Sequence, residues 1–451
     1  MFLSHNDDPT LEDGFDNNGL VREICGLIRN CTPPKGIGVN GYWGTGKTSM
    51  LLQVCRQLTG VYPYGDEPSG LQAPENADNT IMPIWFEAWR YQHEAQPVVA
   101  LLNEIRLQMG MWKKLQDEAA KLSGVTFLGA LSAFDEVVKA ASGGVFKPEL
   151  GKVQAIGNAW EKERYQQPLP GQSIRNLLQG AVATALKSKK KKKLAIFIDD
   201  LDRCEPETAL RLMEGIKVYL NLNNCVIIFG MDQRQVERAL VKALGLKSED
   251  GAAMNADHYA REYLEKICQD IIHLPLPDKE KKSQYLSALL AKLLSEAPHT
   301  IFAERIQSIT DQFDCLPANP RKIKALANRL ASMIRRLPHL DNLQTVTPDV
   351  ASEIDREAAF CLVTAVVYCF HRRIFEQLQK NPAYISEVIA YADASDIGKD
   401  VYSPMQGIQP SVNSAGELPV NPSDSNVFRL HRLLQQLAQV TDIEIKPFLF
   451  P

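Results

Sequence analysis

The sequence predicts an α/β fold in which a parallel β-sheet forms the first part of the chain and helices form most of the remainder. Three observations predict it. A glycine-rich segment, residues 41–46, separates a short apolar run from an amphipathic helical pattern. Two continuous apolar runs, Leu194–Ile198 and Cys225–Phe229, are typical of strands buried on both faces of a parallel sheet. Helical periodicity then dominates after about Leu276.

Composition indicates an ordinary large globular protein. The chain has 451 residues, of which 45% are hydrophobic and 23% charged. At roughly 100–200 residues per domain, this length predicts about two to four domains. The net charge of −4 provides no basic field that would favour nucleic acid. Nucleic acid is therefore expected at most as an indirect partner.

The expected location is the cytoplasm. None of the nine cysteines forms a CxxC pair, which favours a reduced protein over a disulfide framework or a zinc site. The first ten residues lack the basic and apolar parts of a signal peptide. The longest apolar run, Ala358–Phe370, is shorter than the ~20 residues that span a bilayer, so no transmembrane segment is predicted.

Periodicity and helix-breaking residues predict the first elements. The apolar residues of Leu20–Ile28 lie on one helical face. Pro33 and Pro34 end that helix, because proline lacks an amide donor. Gly36–Val39 is then a short buried strand, and a second helix is predicted to begin at Lys47.

The middle of the chain continues the alternation of strand and helix. Pro63–Asn79 is rich in turn residues and predicts a surface loop, followed by a strand at Ile81–Phe86 and a helix at Pro97–Leu115. Residues 119–170 contain no clear strand and are expected to form a helical insertion of the hairpin type. A further helix begins near Pro206, between the two apolar strands.

The C-terminal part is predicted to be mainly helical. Helices continue to Leu337, where a proline ends them, and resume over Pro348–Ile389. Tyr402–Ser425 is rich in Ser, Pro, Gly and Asn and predicts a loop or mobile arm, and Val427–Val440 predicts one more helix.

Residues 41–48 match the complete GxxxxGK[ST] pattern of a phosphate-binding loop, here called the P-loop. Glycines allow the backbone to turn its amides toward phosphate oxygens, and the positive end of the following helix faces the same anion. Lys47 is expected to reach the β- and γ-phosphates, and Thr48 to ligate Mg²⁺. The predicted nucleotide-binding residues of this segment are Gly41, Tyr42, Trp43, Gly44, Thr45, Gly46, Lys47, Thr48 and Ser49.

The apolar strand 194–198 ends in a group of acids, the Walker B arrangement, which delivers carboxylates to the edge of the sheet where ligands bind. Asp199 is predicted to hold Mg²⁺ through water, and Asp200 to orient or deprotonate the attacking water. Asp202 and Arg203 either pair with each other or place one group against the nucleotide of a neighbouring subunit. The plain alternative is an acidic turn after a strand.

Two further patterns leave alternatives open. Asp232 follows the strand 225–229 and is predicted either to sense the γ-phosphate or to cap the helix Gln233–Leu240. The basic run Lys187–Lys193 resembles a nucleic-acid patch, but a solvated surface loop is the favoured interpretation.

Five segments together resemble the KAP family of P-loop NTPases, which is similar to the AAA+ and STAND branch of the additional-strand ATPases. They occur in family order over about Asp16–Leu330 and are Gly41–Thr48, Trp85–Tyr91, Phe197–Cys204, Tyr263–Cys268 and Asn319–Lys324. The resemblance implies a RecA/AAA+-like parallel-sheet core with a helical insertion and a helical lid, and it implies ATP and Mg²⁺ as cofactors.

The resemblance and the helical pattern together predict a domain organisation, although the chain past about Leu337 matches no family motif. Residues 1–275 would form the P-loop core, residues 276–340 the lid, and residues 341–451 a mainly helical partner-binding region. Arg321 follows Asn-Pro at a helix start in the lid, where it is expected to reach back to the nucleotide. A solvated basic first turn is the alternative.

Many family members carry paired transmembrane helices between the two Walker motifs. Here the corresponding segment, Val125–Phe146, is interrupted by Asp135, Glu136 and Lys139 and is not expected to span a membrane. A membrane-surface anchor over Leu122–Phe146 is a weaker alternative.

The family includes bacterial phage-exclusion proteins and ATPase subunits of multi-protein antiphage systems such as Qat. This implies an ATP-hydrolysing switch or motor that acts with partner proteins of a defence complex, as a homo-oligomer or a hetero-complex. A scaffold that holds ATP without hydrolysing it is the alternative. The sequence lacks a GTPase base-reading motif, which favours ATP. It also lacks a nuclease, protease or deaminase pattern, so any lethal chemistry is predicted to reside on a partner.

Overall fold

The structure is a computed structural model. It describes residues 4–65, 74, 76–94, 97–109, 170–243, 253–294, 297–312, 315–337, 348–370 and 372–383. Apart from Pro170, the predicted insertion lies outside the described residues. The segment Leu122–Phe146, the loop Tyr402–Ser425 and the helix Val427–Val440 also lie outside them.

A five-stranded parallel sheet forms the centre of the first part of the chain. Its strands are β1 (Lys35–Asn40), β2 (Ile81–Glu87), β3 (Lys193–Asp199), β4 (Cys225–Met231) and β5 (Asp270–His273). The spatial order is β2-β3-β4-β1-β5, and every neighbouring pair is parallel. This confirms the predicted α/β fold class. One additional strand, β4, separates the P-loop strand β1 from the acidic strand β3, although both end at the same edge.

Seven helices described in this part flank the sheet or its edges. They are α1 (Asn18–Asn30), α2 (Lys47–Thr59), α3 (Pro97–Gln108), α4 (Pro170–Ser188), α5 (Pro206–Tyr219), α6 (Gln233–Ala243) and α7 (Ala253–Glu265). Proline at the first position of α5 fits a helix start, since that amide has no partner within the helix.

The pleat of the strands divides the core into two hydrophobic clusters. On β3, Ala195 and Phe197 pack with the apolar residues of α1 and α2. Leu194, Ile196 and Ile198 point to the opposite face and pack with α3, α4 and α5. This alternation follows from the two-residue period of a strand. It explains why β3 is apolar throughout, because both of its faces are buried.

The second part of the described chain is helical. It contains α8 (Lys279–Leu293), α9 (Ala297–Gln312), α10 (Pro320–Ile334), α11 (Pro348–Phe370) and α12 (Arg372–Lys380). These five helices share one hydrophobic cluster that runs from Leu286 to Leu378. This cluster extends past the predicted lid, residues 276–340, and the five helices together are called the lid below. The apolar run noted in the sequence, Ala358–Phe370, is part of α11 and packs inside this cluster. Among the described residues, no helix combines the length and apolar character that crossing a bilayer requires.

A segment of loops and turns at the start of the chain, residues 4–17 (here called the strap), joins the helical part to the sheet part. His5 and Asn328 of α10 exchange two hydrogen bonds of 2.7 Å between backbone and side chain. Farther along, the backbone amide of Thr10 donates to the hydroxyl of Ser49 on α2 at 3.1 Å. The strap therefore touches both the lid and the helix that follows the P-loop.

Candidate nucleotide-binding site

The P-loop connects β1 to α2 and depends on glycine at two positions. Gly44 and Gly46 have φ of +81° and +95°, which lie in the left-handed region that other residues rarely adopt. A β-carbon at Gly44 would lie 2.6 Å from Oδ1 of Asn319. Helix α2 begins after Gly46 with no side-chain cap. Its first amides therefore have no side-chain partner at the cap position, as an anion site at a helix N-terminus requires.

Lys47 is held beneath the loop by polar neighbours. Its side chain is buried, with Nζ 3.4 Å from Oδ2 of Asp202 and donating to the backbone oxygen of Tyr42 at 3.3 Å. Asp202 thus pairs with the P-loop lysine, Lys47. The alternative pair predicted from the sequence, Asp202 with Arg203, is not formed; Arg203 pairs with Asp200 instead.

A cleft of about 310 Å³ opens over the P-loop. The predicted site residues that line it are Trp43, Gly44, Thr45, Gly46, Lys47, Thr48, Ser49, Asp199, Asp200, Arg203 and Arg321. Four others, Gly41, Tyr42, Asp202 and Asp232, lie outside the lining. Of these, Tyr42 and Asp202 contact the Lys47 side chain, so the structure gathers nearly all of the predicted residues around one opening.

Asp199 ends β3 and points to the face occupied by α2. It is 1% exposed, and neither carboxylate oxygen makes a hydrogen bond of normal geometry to a described residue. Burial, reinforced by the charge of Asp200, raises the pKa of Asp199 to about 7. The Thr48 hydroxyl approaches closely enough to lower that pKa in part. A buried carboxylate without a satisfied partner beside a threonine hydroxyl fits a site for Mg²⁺, which prefers oxygen ligands.

No cluster of three or more His, Cys, Asp or Glu side chains in the described part of the chain could by itself hold a metal ion. Mg²⁺ in nucleotide sites is commonly bound by one or two protein groups together with phosphate oxygens and water. Thr48 and Asp199 would be the protein's share of such a site.

Asp200 has a left-handed backbone with φ of 58°, a conformation that Asp tolerates better than most residues. It begins a short 3₁₀ turn, Leu201–Arg203, which returns Nε of Arg203 to within 2.9 Å of Oδ1 of Asp200. Burial is the main cause that raises the pKa of Asp200, and the charge of Arg203 opposes it. The carboxylate is thus positioned at the cleft and neutralised by a neighbouring guanidinium.

Asp232 lies at the N-terminal end of α6, next to the last residue of β4. Its buried carboxylate accepts hydrogen bonds from the backbone amides of Arg234 and Gln235. This is the geometry of a helix cap, one of the two predicted alternatives. The role of γ-phosphate sensor stays a prediction, and the proximity of Lys47, whose charge lowers the pKa of Asp232, is compatible with it.

The lid reaches the P-loop through the start of α10. Asn319 is buried, caps α10 through the amide of Lys322, and donates from Nδ2 to the backbone oxygen of Trp43 at 2.9 Å. The guanidinium of Arg321 lies 5.6 Å from the centre of the Trp43 ring, within the range of a cation–π contact. Its Nε pairs with Oδ2 of Asp7 in the strap at 2.6 Å.

Sequence reasoning missed three parts of this site. It gave no role to the strap, to Asn319, or to Glu87 at the end of β2, although all three contact or line the cleft. The signal for Glu87 was present: it is the first acid after an apolar run, as Asp199 is after its own. The contacts of the strap and of Asn319 depend on tertiary packing, which no local pattern encodes.

Comparison with known proteins agrees with this geometry. The family model described as the KAP family P-loop domain matches residues 17–337. A relative named phage T7 exclusion protein, from Escherichia coli strain K12, is 22% identical over 309 residues. The match covers 65% of this chain and 38% of the relative, so the chain spans well under half of that protein's length. Because the family model covers more than half of the chain, this protein belongs to the KAP family of P-loop NTPases.

Proposed function

We propose that this protein is a Mg²⁺-dependent ATPase that acts as a switch or motor subunit of a multi-protein assembly. The observation that carries the proposal is the arrangement of one cleft. Lys47 and Thr48 at the P-loop face the buried carboxylate of Asp199, and Asp200 lines the same cleft. Phosphate groups, a divalent cation and an attacking water each have a group of matching chemistry there.

Each residue has a distinct task in this proposal. The P-loop amides and Lys47 bind the β- and γ-phosphates, which requires Lys47 to leave Asp202. Thr48 and Asp199 would hold the magnesium ion, which when bound neutralises charge on the phosphate oxygens. Asp200 orients the attacking water and accepts its proton. Arg321 exchanges its partner Asp7 for the nucleotide, and Asp232 either senses the γ-phosphate or only caps α6.

We also propose a setting for this activity. The name of the relative from Escherichia coli supports a role in antiphage defence. The location proposed for this activity is the cytoplasm of a bacterium. Arg203 is partly exposed at the rim of the cleft and can serve the nucleotide of a second copy, which supports an oligomer. Partner proteins of the defence complex would bind the helical C-terminal region, residues 341–451, and carry any lethal activity.

The scaffold alternative is favoured by one observation. The Asp200 carboxylate is paired with Arg203 at 2.9 Å, and an ion-paired carboxylate is a weaker base. If this pair persists after ATP binds, the nucleotide would serve as a structural cofactor and would not be hydrolysed.

Turnover of ATP by the purified 451-residue chain tests both functions. We expect Lys47→Ala to lose nucleotide binding and Asp200→Ala to retain binding while hydrolysis falls by at least about tenfold. Lys217→Ala, a change at an exposed lysine on α5, is the matched control and should equal the wild type. Tight binding without turnover, in the presence of Mg²⁺, would exclude hydrolysis by the isolated protein and favour the scaffold.

A further inference from the structure

The pleat of β2 places Glu87 on the same face of the sheet as Asp199. Trp85 of β2 packs in the cluster with α1 and α2, so Glu87, two residues later, points to that face. The register of β2 and β3 pairs Glu87 directly with Asp199. Both side chains therefore project from adjacent strand ends toward the P-loop helix, and Glu87 lines the cleft.

Glu87 and Asp200 each lie directly before a short 3₁₀ turn. Each strand is followed by a short 3₁₀ turn, Ala88–Tyr91 after β2 and Leu201–Arg203 after β3. In each turn an acid pairs with the arginine three residues later, Glu87 with Arg90 and Asp200 with Arg203. The chain thus presents two acid–arginine pairs side by side at one edge of the cleft.

The Glu87 carboxylate is also held from the other side. The hydroxyl of Tyr64, which lines the cleft, hydrogen-bonds to it. Burial is the main cause that raises the pKa of Tyr64, and the charge of Glu87 is the next. The Tyr64 ring packs edge-on against Trp85 at 5.6 Å. The position of Glu87 is therefore fixed by β2, by Tyr64 and by Arg90 together.

A purely structural role accounts poorly for this residue. Arg90 is 66% exposed, and an ion pair with so exposed an arginine contributes little to stability. The Glu87 side chain, in contrast, is 15% exposed and faces the cleft. Its charge also contributes to raising the pKa of Asp200, so the two carboxylates influence each other.

The order of the strands gives the direction in which these groups act. From β1 and the P-loop, the sheet continues through β4 and β3 to β2. Phosphate bound at the P-loop beside Asp199 therefore has Glu87 and Asp200 on the side away from β1. In phosphoryl transfer the attacking oxygen and the leaving oxygen are roughly in line, on opposite sides of the γ-phosphorus.

We infer that Glu87 is a second water-orienting carboxylate of this site, acting together with Asp200. This inference rests on the proposed ATPase function. The oxygen of the water forms a bond to the γ-phosphorus as the bond to the bridging oxygen breaks, and ADP keeps that electron pair. Glu87 accepts a hydrogen bond from one O–H of the water. Asp200 takes the proton of the other and returns it to solvent.

The test compares Glu87→Gln and Glu87→Asp with the wild type and with Glu23→Gln, a control at an exposed acid on α1. Steady-state kcat and KM for ATP are measured with Mg²⁺, together with the Kd of a fluorescent ATP analogue and the thermal unfolding midpoint. We expect Glu87→Gln to lower kcat by at least about tenfold, with Kd within twofold and the midpoint unchanged. Glu87→Asp, which keeps the charge, should recover part of the lost turnover.

Three results would overturn the inference. A kcat for Glu87→Gln within twofold of the wild type, while Lys47→Ala abolishes turnover, would show that the site works without this carboxylate. If both Glu87 variants lose ATP affinity, thermal stability and turnover together and to the same extent, Glu87 has a structural role. Absence of turnover in the wild type, with ATP still bound, would exclude hydrolysis by the isolated protein, and the role of Glu87 in it would be refuted at the same time.

Discussion

Asp199 is a buried carboxylic acid whose environment opposes ionisation. Its pKa is raised from 3.8 to about 7, first by burial and then by the charge of Asp200. A protein retains such a group when its ionised form has a use, and binding of a divalent cation is one such use. At neutral pH the nucleotide-free site is therefore close to the point at which Asp199 changes charge.

This environment predicts that Asp199 destabilises the folded protein by an amount that depends on pH. Because the folded-state pKa lies above the unfolded one, the folded protein binds the proton more tightly, and stability falls as pH rises through the window from about 4 to 7. The free energy of unfolding of Asp199→Asn, taken relative to that of the wild type, should rise by on the order of 2 kcal/mol between pH 5 and pH 8. Urea unfolding without nucleotide or Mg²⁺ measures these free energies. If the variant and the wild type differ by the same amount at pH 5 and at pH 8, the prediction is contradicted.

The close approach of Gly44 to Asn319 predicts that a side chain at this position would disturb the contact between P-loop and lid. A side chain there would combine a φ of +81° with a contact of 2.6 Å to Asn319. Gly44→Ala should displace the lid from the P-loop and abolish ATP binding. Gly60→Ala is the matched control, since Gly60 has a φ of +72° but its nearest neighbour would be 3.5 Å away. That control should lose about 1 kcal/mol of stability and keep its ATP affinity, measured by titration calorimetry. Equal affinities for the two variants would show that contact with Asn319 is unimportant.

Sequence patterns predicted the residues whose chemistry is local. The P-loop and the acids after β3 are each consecutive in sequence, so one motif with its flanking periodicity was enough to predict that they lie at one cleft. Glu87 and Asn319 were missed because their relation to the cleft depends on strand register and on lid packing. The Asp200–Arg203 pair was also missed, because it depends on a left-handed backbone at Asp200 that no composition rule requires.

Among the elements of the fold, the strap is the one for which the sequence analysis predicted neither structure nor role. Two of its carboxylates face the lid: Asp7 pairs with Arg321 at 2.6 Å, and Glu12 pairs with Lys292 at 2.6 Å. The strand β5 was missed for a different reason. It has four residues at the edge of the sheet, too few for a periodic pattern.

The contact of the strap with Arg321 predicts the effect of Asp7→Asn. Removing the charge frees Arg321 and removes a carboxylate from the lining of the cleft. ATP should bind more tightly, by up to about fivefold, since a partly exposed ion pair contributes at most ~1 kcal/mol. Lys292→Gln, which breaks the other pair between strap and lid, should leave the ATP Kd unchanged. Weaker binding by Asp7→Asn would instead show that the strap organises the site.

At the scale of the whole molecule, the sheet order and the lid together make the cleft. The parallel strands end at one edge, which is where ligands bind in open α/β sheets. The lid covers that edge through Asn319 and Arg321, and the strap joins the two parts. The sequence predicted the sheet and the helical character of the lid, whereas the way the parts touch is a property of the complete fold.

The lid extends beyond the end of the family match. The family model ends at residue 337, but the hydrophobic cluster of the lid continues through α11 to Leu378 of α12. Phe360 of α11 is 2% exposed, and the Tyr368 ring lies 4.0 Å from the guanidinium carbon of Arg329 on α10. A chain that ends at residue 337 would therefore leave the inner faces of α9 and α10 without their partner helix.

We expect the fragment ending at residue 337 to aggregate or to bind a hydrophobic dye, while the 451-residue chain does neither. In the full-length chain, Phe360→Ala should cost about 3–5 kcal/mol in the free energy of unfolding, because it creates a cavity in the lid core. Arg372→Ala on α12, at a side chain that is 70% exposed, is the control and should change stability by less than about 0.5 kcal/mol. A monomeric fragment that binds ATP with the affinity of the full chain would show that α11 is dispensable. The folded lid would then end with α10, at the boundary of the family model.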